Sequence, residues 1–204
     1  MSLPRIGKPA PEFTAKAIVN NKLTEVSLRD YNQKYVILLF FPMNFSYICP
    51  TELIAFNDHS KDFEKINAYT VACSIESHYS YLKCLSVPPR QGGVHGITVP
   101  LVVDKNMEIS KKYGILDEAH GIPYRAMFII DDSGSLRQIT INDYSIGRNV
   151  LETQRLVEAI QESNKLHKNS TKSDFLEVSM PSSPPKRCTT LTWAERSFRH
   201  QITE

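Results

Sequence analysis

One cysteine, Cys49, stands where a buried strand is predicted to give way to a helix. The preceding run Tyr35–Phe41 (YVILLFF) is almost entirely apolar, which is typical of a strand covered on both faces. After it, apolar residues recur at roughly helical spacing from Pro50 to Asn67, and proline suits a first helical turn. Unpaired N–H groups and the helix dipole favour an anion at such a position, and the thiolate is the nucleophilic form of cysteine. The sequence therefore predicts a reactive thiol, although a lone cysteine is more often a buried structural residue.

The residues around Cys49 carry a longer pattern. Pro42-x-x-x-Ser46-x-x-Cys49, followed by Pro50-Thr51-Glu52, resembles the active-site signature of the peroxiredoxins, and of their typical two-cysteine subfamily in particular. Further blocks follow in the order of that family: Gly7–Phe13 (GKPAPEF), which resembles its opening strand and turn, Tyr124–Asp131 (YRAMFIID), Leu136–Asp143 (LRQITIND) and Gly147-Arg148. The resemblance extends over roughly residues 4 to 165. It implies a thioredoxin-like α/β fold, in which helices flank a central mixed β-sheet, and the activity of a thiol peroxidase.

The resemblance implies a role for three residues at the reacting sulfur. Cys49 is the expected nucleophile, which attacks the peroxide and becomes a sulfenic acid. Arg125 resembles the family arginine that contacts the thiolate and the peroxide, a task that suits a permanently charged guanidinium. A surface position is the usual alternative for an arginine. Ser46 corresponds to a Thr or Ser whose hydroxyl binds the peroxide, and its spacing would equally suit a cap for the helix.

Three further residues resemble supporting groups of the same site. Pro42 corresponds to a residue that shields the thiolate from water, and it would also serve as a strand terminator. Glu52 and Arg148 correspond to groups that orient the catalytic arginine. Each of these two charged residues could instead be a solvated surface charge.

Regeneration of the cysteine is where the resemblance fails. Typical two-cysteine members carry a resolving cysteine in a V-C-P block soon after the last helix, which would fall near Ser170, and no such block occurs. Cys188 is the remaining cysteine of the tail, so either Cys188 or an external thiol would reduce the sulfenic acid. Cys73 lies in a predicted strand and is expected to be buried there. Cys84 replaces a Trp of the subfamily and is expected near the subunit-contact side of the pocket.

Composition excludes several classes of protein. The 204 residues are 41% hydrophobic and 23% charged, as in an ordinary globular protein, and the formal net charge is +2. Such a charge gives no basic footprint for nucleic acid and no reason to expect binding to an anionic membrane. The four cysteines form no C-x-x-C pair and no metal-ligand spacing with the six histidines, so no metal site is expected. Sparse cysteines and the lack of a signal-like N-terminal segment favour a reducing, cytoplasmic compartment.

The elements that must position the site alternate between strand-like and helix-like segments, which predicts an α/β layer fold. Besides the strand before Cys49, strands are predicted at Tyr69–Ile75, Val99–Asp104, Arg125–Asp131 and Leu136–Asn142, the last two as a hairpin. Helices are predicted at Ser77–Leu85, in the segment that ends at Gly114, and from an N-cap at Asn149 with Glu152 three residues on. Residues 4–166 are assigned to one domain, and residues 167–204 to a divergent tail whose polar, Pro- and Ser-rich composition is typical of mobile segments.

The resemblance to the peroxiredoxins implies an enzyme that reduces hydrogen peroxide and organic hydroperoxides, in antioxidant defence and redox homeostasis. The resemblance implies recycling by thioredoxin or another dithiol, no cofactor, and a homodimer or a decameric ring of dimers. A one-cysteine mechanism, in which an external thiol reduces Cys49 directly, is the alternative within the same class. A redox-responsive chaperone-like or signalling partner is the alternative from another class, and the intact set of Pro42, Ser46, Cys49 and Arg125 argues against a purely non-catalytic role.

Overall fold

A computed structural model describes the backbone of residues 2–169 and the side chains of residues 2–166. The sheet and the helices, with α5 as far as Lys165, belong to a first unit, Met1–Lys165. Most of the tail predicted at residues 167–204, including Cys188, lies outside the described residues, so its boundary and its character stay predictions. Within the described residues, no helix has both the length and the apolar character needed to cross a membrane.

The core of the described chain is a mixed sheet of seven strands, in the order β2-β1-β5-β4-β3-β8-β9. The strands are β1 Thr14–Val19, β2 Lys22–Ser27, β3 Tyr35–Phe40, β4 Ala68–Ser74, β5 Leu101–Val103, β8 Arg125–Ile130 and β9 Leu136–Asn142. A separate small hairpin is formed by β6 Leu116–Asp117 and β7 Ile122–Pro123. The central strand β3 pairs in parallel with β4 and antiparallel with β8, which makes the sheet mixed. The predicted α/β class and the mixed sheet are confirmed.

Five helices accompany the strands in the described part of the chain. They are α1 Cys49–Asp58, α2 Ser60–Lys65, α3 His78–Ser86, α4 Glu108–Lys112 and α5 Val150–Asn169, with short 3-10 turns at Leu28–Tyr31 and Pro89–Gln91. The predicted cap of α5 is in place, because Asn149 Oδ1 accepts from Glu152 N–H in its first turn. Ser77, predicted as the first residue of a helix, instead caps α3, where its Oγ accepts from Ser80 N–H. Gly114, with φ of 67°, follows α4 as expected of a left-handed residue.

The apolar run that predicts β3 supplies both faces of the sheet. Every residue of β3 is buried, and successive side chains point to opposite faces. Ile37 and Leu39 belong to one core cluster, which includes residues of α1, α3 and α5. Val36 and Leu38 belong to a second cluster, which includes a residue of α4. Because both faces of β3 are covered, its sequence shows no alternation of apolar and polar residues.

Two local predictions differ from the structure, and one hairpin was missed. The segment Pro50–Asn67 forms two helices instead of one, because α1 ends at Asp58 and His59 separates it from α2. The β1–β2 hairpin was not predicted, although its turn residues Asn20 and Asn21 both adopt positive φ, as a two-residue hairpin turn requires. The block Gly7–Phe13 forms a turn and a single bridge from Pro9 to Ser135, not a strand. Its proline-rich composition explains this, since proline cannot donate to a strand ladder.

Candidate active site

Cys49 begins α1, and its side chain is completely buried. The loop between β3 and α1 bends at Phe45, which has φ of 54°. Ser46 Oγ then accepts the backbone N–H of Cys49 at 3.1 Å, and Pro50 occupies the next position of the first turn. Ile48, at the start of the helix, makes no side-chain capping bond. The first N–H groups of a helix have no partner within the helix. Here the N–H of Cys49 is such a group, and the serine hydroxyl supplies its acceptor.

Arg125 is brought to Cys49 by the pairing of β8 with β3. The two strands are antiparallel with Leu39 opposite Met127, so the start of β8 lies at the end of β3 that leads into the Cys49 loop. The Arg125 side chain is only 2% exposed, and its Nη1 lies 3.2 Å from Cys49 Sγ. The same nitrogen donates to Glu52 Oε2 at 2.7 Å. A permanent positive charge thus touches the sulfur inside the protein.

Glu52 lies one turn after Cys49 in α1 and is held between two arginines. Arg148 binds it from the other side: its backbone N–H and its Nε both donate to Glu52 Oε1, at 2.6 and 2.9 Å, and its Nη2 donates to Oε2 at 3.0 Å. Burial by itself raises the pKa of Glu52, but the hydrogen bonds and charge of Arg148, with the charge of Arg125, outweigh it and bring the pKa below its ordinary value. Glu52 is therefore an ionised carboxylate at neutral pH.

Arg148 also joins the two strands that carry the site. Its Nη1 donates to the carbonyl of Phe40, the last residue of β3, at 2.8 Å, and to the carbonyl of Ala126 in β8. Its side chain is 3% exposed. The Arg148 side chain is thus buried and bonded to Glu52, and the interpretation of Glu52 and Arg148 as solvated surface charges does not fit the structure.

The charges of this cluster have a chemical consequence for the sulfur. Two guanidinium groups and one carboxylate leave one net positive charge in a buried site, before Cys49 is counted. A guanidinium in contact with a sulfur can stabilise negative charge that develops there during a reaction. The thiolate is the form of cysteine that attacks electrophiles.

Comparison with known proteins agrees with this arrangement. Residues 6–139, more than half of the chain, match the model of the AhpC/TSA family. The chain belongs to this family. Peroxiredoxin 2 of Drosophila melanogaster is 45% identical over 163 residues, which cover 80% of this chain and 84% of the relative. A protein named thioredoxin peroxidase from Echinococcus granulosus is 50% identical over 160 residues, covering 78% of this chain and 83% of that protein.

Solved structures lead to the same family. The crystal structure of a reduced 2-Cys peroxiredoxin from Plasmodium vivax superposes with a TM-score of 0.76 at 35% sequence identity, and the match covers 78% of this chain and 98% of that one. The resemblance to the peroxiredoxins and the thioredoxin-like fold, both predicted from the sequence, are confirmed. The roles proposed for individual residues rest on the geometry of this chain.

Pro42 lies two residues after the end of β3, in the loop that leads to Cys49, and it is buried. Its carbonyl accepts from the hydroxyl of Ser74, at the end of the neighbouring strand β4, at 3.3 Å. The strand has already ended at Phe40, so a role of Pro42 as strand terminator stays a prediction. Shielding of the sulfur by Pro42 and binding of peroxide by Ser46 stay predictions.

Two functional contacts of this AhpC/TSA family member were missed in the sequence. Asn44, a buried polar residue in the Cys49 loop, donates from its backbone to Glu76 Oε1 and from its side chain to Ser80 Oγ, both at 2.9 Å. It ties the loop to α3 and the segment before it. Tyr144 offers its carbonyl to Arg125 Nε at 2.6 Å. A polar residue within the apolar run around Pro42 is a signal that could have identified Asn44, whereas a backbone carbonyl leaves no signature in a sequence.

The other described cysteines are poorly suited to act as thiolates. Cys73 is fully buried in β4, as predicted, and burial raises its pKa well above the ordinary value. Burial also raises the pKa of the Cys84 thiol, although the backbone N–H groups of Phe45 and Val94 bond to it. A position of Cys84 at a subunit contact stays a prediction. In the described part of the chain, no three side chains of His, Cys, Asp or Glu come together as metal ligands would.

Proposed function

We propose that this member of the AhpC/TSA family is a thiol-dependent peroxidase, which reduces hydrogen peroxide and organic hydroperoxides through Cys49. The observation that carries the proposal is the contact of Arg125 Nη1 with Cys49 Sγ at 3.2 Å, inside a buried cluster that also holds Glu52 and Arg148. Relatives named peroxiredoxin and thioredoxin peroxidase support the same activity. The intact site and these relatives favour an enzyme over a chaperone-like or signalling role.

The reaction proceeds by attack of the Cys49 thiolate on one peroxide oxygen. A sulfur–oxygen bond forms with an electron pair from sulfur while the O–O bond breaks. The second oxygen leaves as hydroxide or alkoxide, takes up a proton and departs as water or alcohol, and Cys49 becomes a sulfenic acid. Arg125 stabilises the negative charge that moves from sulfur to oxygen, and Ser46 is proposed to bond the peroxide. Pro42 is proposed to keep water away from the thiolate.

Regeneration requires a second thiol. A thiolate attacks the sulfenic sulfur, a sulfur–sulfur bond forms, and the hydroxide that leaves takes up a proton and departs as water; a dithiol then reduces the disulfide. Because Cys73 and Cys84 are buried with raised pKa values, we propose Cys188 as the resolving residue and thioredoxin as the dithiol. Direct reduction of Cys49 by an external thiol is the alternative.

Assembly and location follow from the same relationship. Oligomeric assembly is expected of a peroxiredoxin, and we propose a homodimer that can associate into a decameric ring. Four scattered cysteines favour a reducing compartment, and we propose the cytoplasm.

The test is a peroxide-consumption assay with thioredoxin, its reductase and NADPH. Cys49→Ser is expected to reduce the rate to the uncatalysed background, since a serine hydroxyl does not ionise near neutral pH, while the circular dichroism spectrum stays unchanged. Cys73→Ala is the matched control and should keep most of the activity. Trapping with a sulfenic acid reagent should label Cys49 in the wild-type protein after peroxide. Substantial turnover by Cys49→Ser would refute the assignment of the nucleophile.

A further inference from the structure

The catalytic contact of Arg125 depends on two anchor points. Glu52 holds Nη1 at 2.7 Å, and the carbonyl of Tyr144 holds Nε at 2.6 Å. A planar guanidinium bonded at one nitrogen alone can swing about that bond, whereas two bonds in different directions fix its plane. The second anchor therefore contributes to the position of Nη1 against Cys49 Sγ.

The side chain of Tyr144 fixes the place of that carbonyl. Its ring stacks on the ring of Tyr124, with centroids 5.1 Å apart and planes 13° from parallel. Tyr124 is the residue directly before Arg125. The Tyr144 hydroxyl donates to Asp117 Oδ2 at 2.9 Å. The tyrosine thus reaches across from the loop after β9 to the start of β8 and to the β6–β7 hairpin.

Other hydrogen bonds orient the Asp117 carboxylate toward Tyr144. Its Oδ1 accepts from Ala119 N–H at 3.0 Å, which orients the carboxylate within the hairpin turn, and its Oδ2 also bonds His120 Nδ1 at 2.7 Å. The hydrogen bonds from His120 and Tyr144 lower the pKa of Asp117 to about 2. Burial and the bond to Asp117 raise the pKa of Tyr144, so the phenol keeps the proton that it donates. Hydrogen bonds to an ionised acceptor are the stronger ones.

The neighbouring bonds of the loop do not reach the hairpin. Asp143 Oδ1 accepts from the N–H of Ser145 at 2.9 Å, and Asn142 Nδ2 donates to the carbonyl of Ile146 at 3.3 Å. These bonds hold the loop in its own shape but do not connect it to β6. Tyr144 supplies the side-chain link between the loop and Asp117.

We propose that Tyr144 is a positioning residue for Arg125, locked in place by its hydroxyl bond to Asp117 and its stack on Tyr124. The inference rests on the proposed function, in which Arg125 contacts the reacting sulfur. Its role is to hold a backbone carbonyl, and through it the guanidinium, at the geometry that the reaction needs. Small displacements of a catalytic group are known to cost large factors in rate.

The experiment compares Tyr144→Phe, Tyr144→Ala and Asp117→Ala with wild type. Two readouts are used: the second-order rate constant for hydrogen peroxide, and the pH at which Cys49 is half-reactive toward iodoacetamide. Tyr144→Phe keeps the ring stack and loses one hydrogen bond, so its rate should fall about fivefold. Tyr144→Ala loses both the hydrogen bond and the ring stack, so its rate constant should fall roughly tenfold to a hundredfold. In each variant the alkylation midpoint should move to higher pH.

A coupling measurement separates positioning from a general loss of structure. If Tyr144 and Asp117 act through one bond, the double variant Tyr144→Phe/Asp117→Ala should be no slower than the slower single variant. Tyr69→Phe, which removes a hydroxyl from a ring packed on Tyr31 in another part of the chain, is the matched control. Asp62→Ala, which removes an exposed carboxylate, is the second control. Neither control should change either readout.

The result that overturns the proposal is a wild-type rate and a wild-type alkylation profile in both Tyr144 variants. Full additivity of the Tyr144 and Asp117 effects would also contradict it. The alkylation profile needs no peroxide turnover. It therefore tests the positioning of Arg125 even if the wild-type protein proves inactive as a peroxidase, and the two failures can be told apart.

Discussion

Arg125 serves three acceptors with one planar group. Its Nη1 faces both the sulfur of Cys49 and the carboxylate of Glu52, while its Nε faces the carbonyl of Tyr144. The N–H groups of a guanidinium point in fixed directions. The bonds to Glu52 and to the Tyr144 carbonyl therefore determine where Nη1 contacts the sulfur. A lysine ammonium carries the same charge on a flexible stem and cannot reproduce this arrangement.

We therefore expect Arg125→Lys to be severe although it conserves charge. The rate constant for peroxide should fall by about a hundredfold or more, the usual effect of losing one donor to the developing charge. The midpoint of pH-dependent alkylation of Cys49 should rise. Stopped-flow kinetics and iodoacetamide labelling measure the two quantities, with Arg155→Lys, at an exposed helix position, as the control. An unchanged rate together with an unchanged midpoint would remove Arg125 from the site.

At the residue scale, the sequence identified Cys49, Arg125 and the two residues beside the arginine, Glu52 and Arg148, but not Tyr144 and Asp117. Ser46 and Cys49 share one short motif, so their spacing alone predicts their proximity. Arg125 was found through its resemblance to a family block. Tyr144 and Asp117 were missed because a loop residue here meets a residue of β6, 27 positions away, and the contact to Arg125 is made by a backbone carbonyl. Spacing along the chain holds no information on such a contact.

At the scale of elements, β3 joins both halves of the core and carries the site at its end. Its side chains point alternately into the two clusters on opposite faces of the sheet. Arg148 bonds the carbonyl of Phe40, where the strand ends. Packing around β3 therefore supports the geometry of the active site as well as the stability of the fold.

Two leucines give a matched test of this packing. Leu39 in β3 is 1% exposed, and Leu23 in the edge strand β2 is 47% exposed. Leu39→Ala should lower the free energy of unfolding by about 2–5 kcal/mol, because it leaves a cavity in a packed core. Leu23→Ala should change it by about 0.5 kcal/mol or less. Urea denaturation measures both, and equal losses in the two variants would contradict a core centred on β3.

The elements that were predicted best are those whose pattern arises from burial. The apolar run of β3 and the residues Arg125–Ile130 of β8 were located closely, since every residue of both strands is buried. The break at His59 was missed because the apolar residues on both sides of it keep a helical spacing. Phe56 of α1 stacks on Phe63 of α2, with centroids 6.1 Å apart, so the two helices present one continuous apolar face. Periodicity reports that face and not the interruption of the backbone.

At the scale of the whole molecule, Cys49 and the proposed resolving residue, Cys188, lie in different parts of the chain. The family match covers residues 6–139 and the described structure covers residues 2–169, and together they contain the whole cluster around Cys49. Cys188 lies beyond both. The relatives from Drosophila and Echinococcus cover 80% and 78% of this chain, so about a fifth of it is outside each alignment. The residues proposed for peroxide reduction thus lie in the part of the chain that the relatives share. The residue that resolves the sulfenic acid must be established for this chain.

The proposal that Cys188 resolves the sulfenic acid makes a sharp prediction. A disulfide requires the two Cα atoms to approach within about 7 Å, and tethering in one assembly raises the effective concentration of the second thiol. Cys188 follows Lys186 and Arg187, whose charges favour a thiolate. If Cys188 comes from the partner subunit, one equivalent of peroxide should convert wild type into a disulfide-linked dimer on a non-reducing gel. The band should vanish in Cys188→Ser. This variant should still consume one equivalent of peroxide in the first turnover.

The control for this experiment is Cys84→Ser, which removes a buried thiol and should leave the linked dimer in place. Mass spectrometry of the excised band should identify a peptide pair that contains Cys49 and Cys188. If wild type instead stays monomeric and Cys49 is found only as a sulfur oxyacid or a mixed disulfide with added thiol, resolution by Cys188 is wrong. The one-cysteine route would then apply, since its sulfenic acid persists until an external thiol reaches it. That outcome would leave the assignment of Cys49 as nucleophile intact, because the first step does not depend on which thiol completes the cycle.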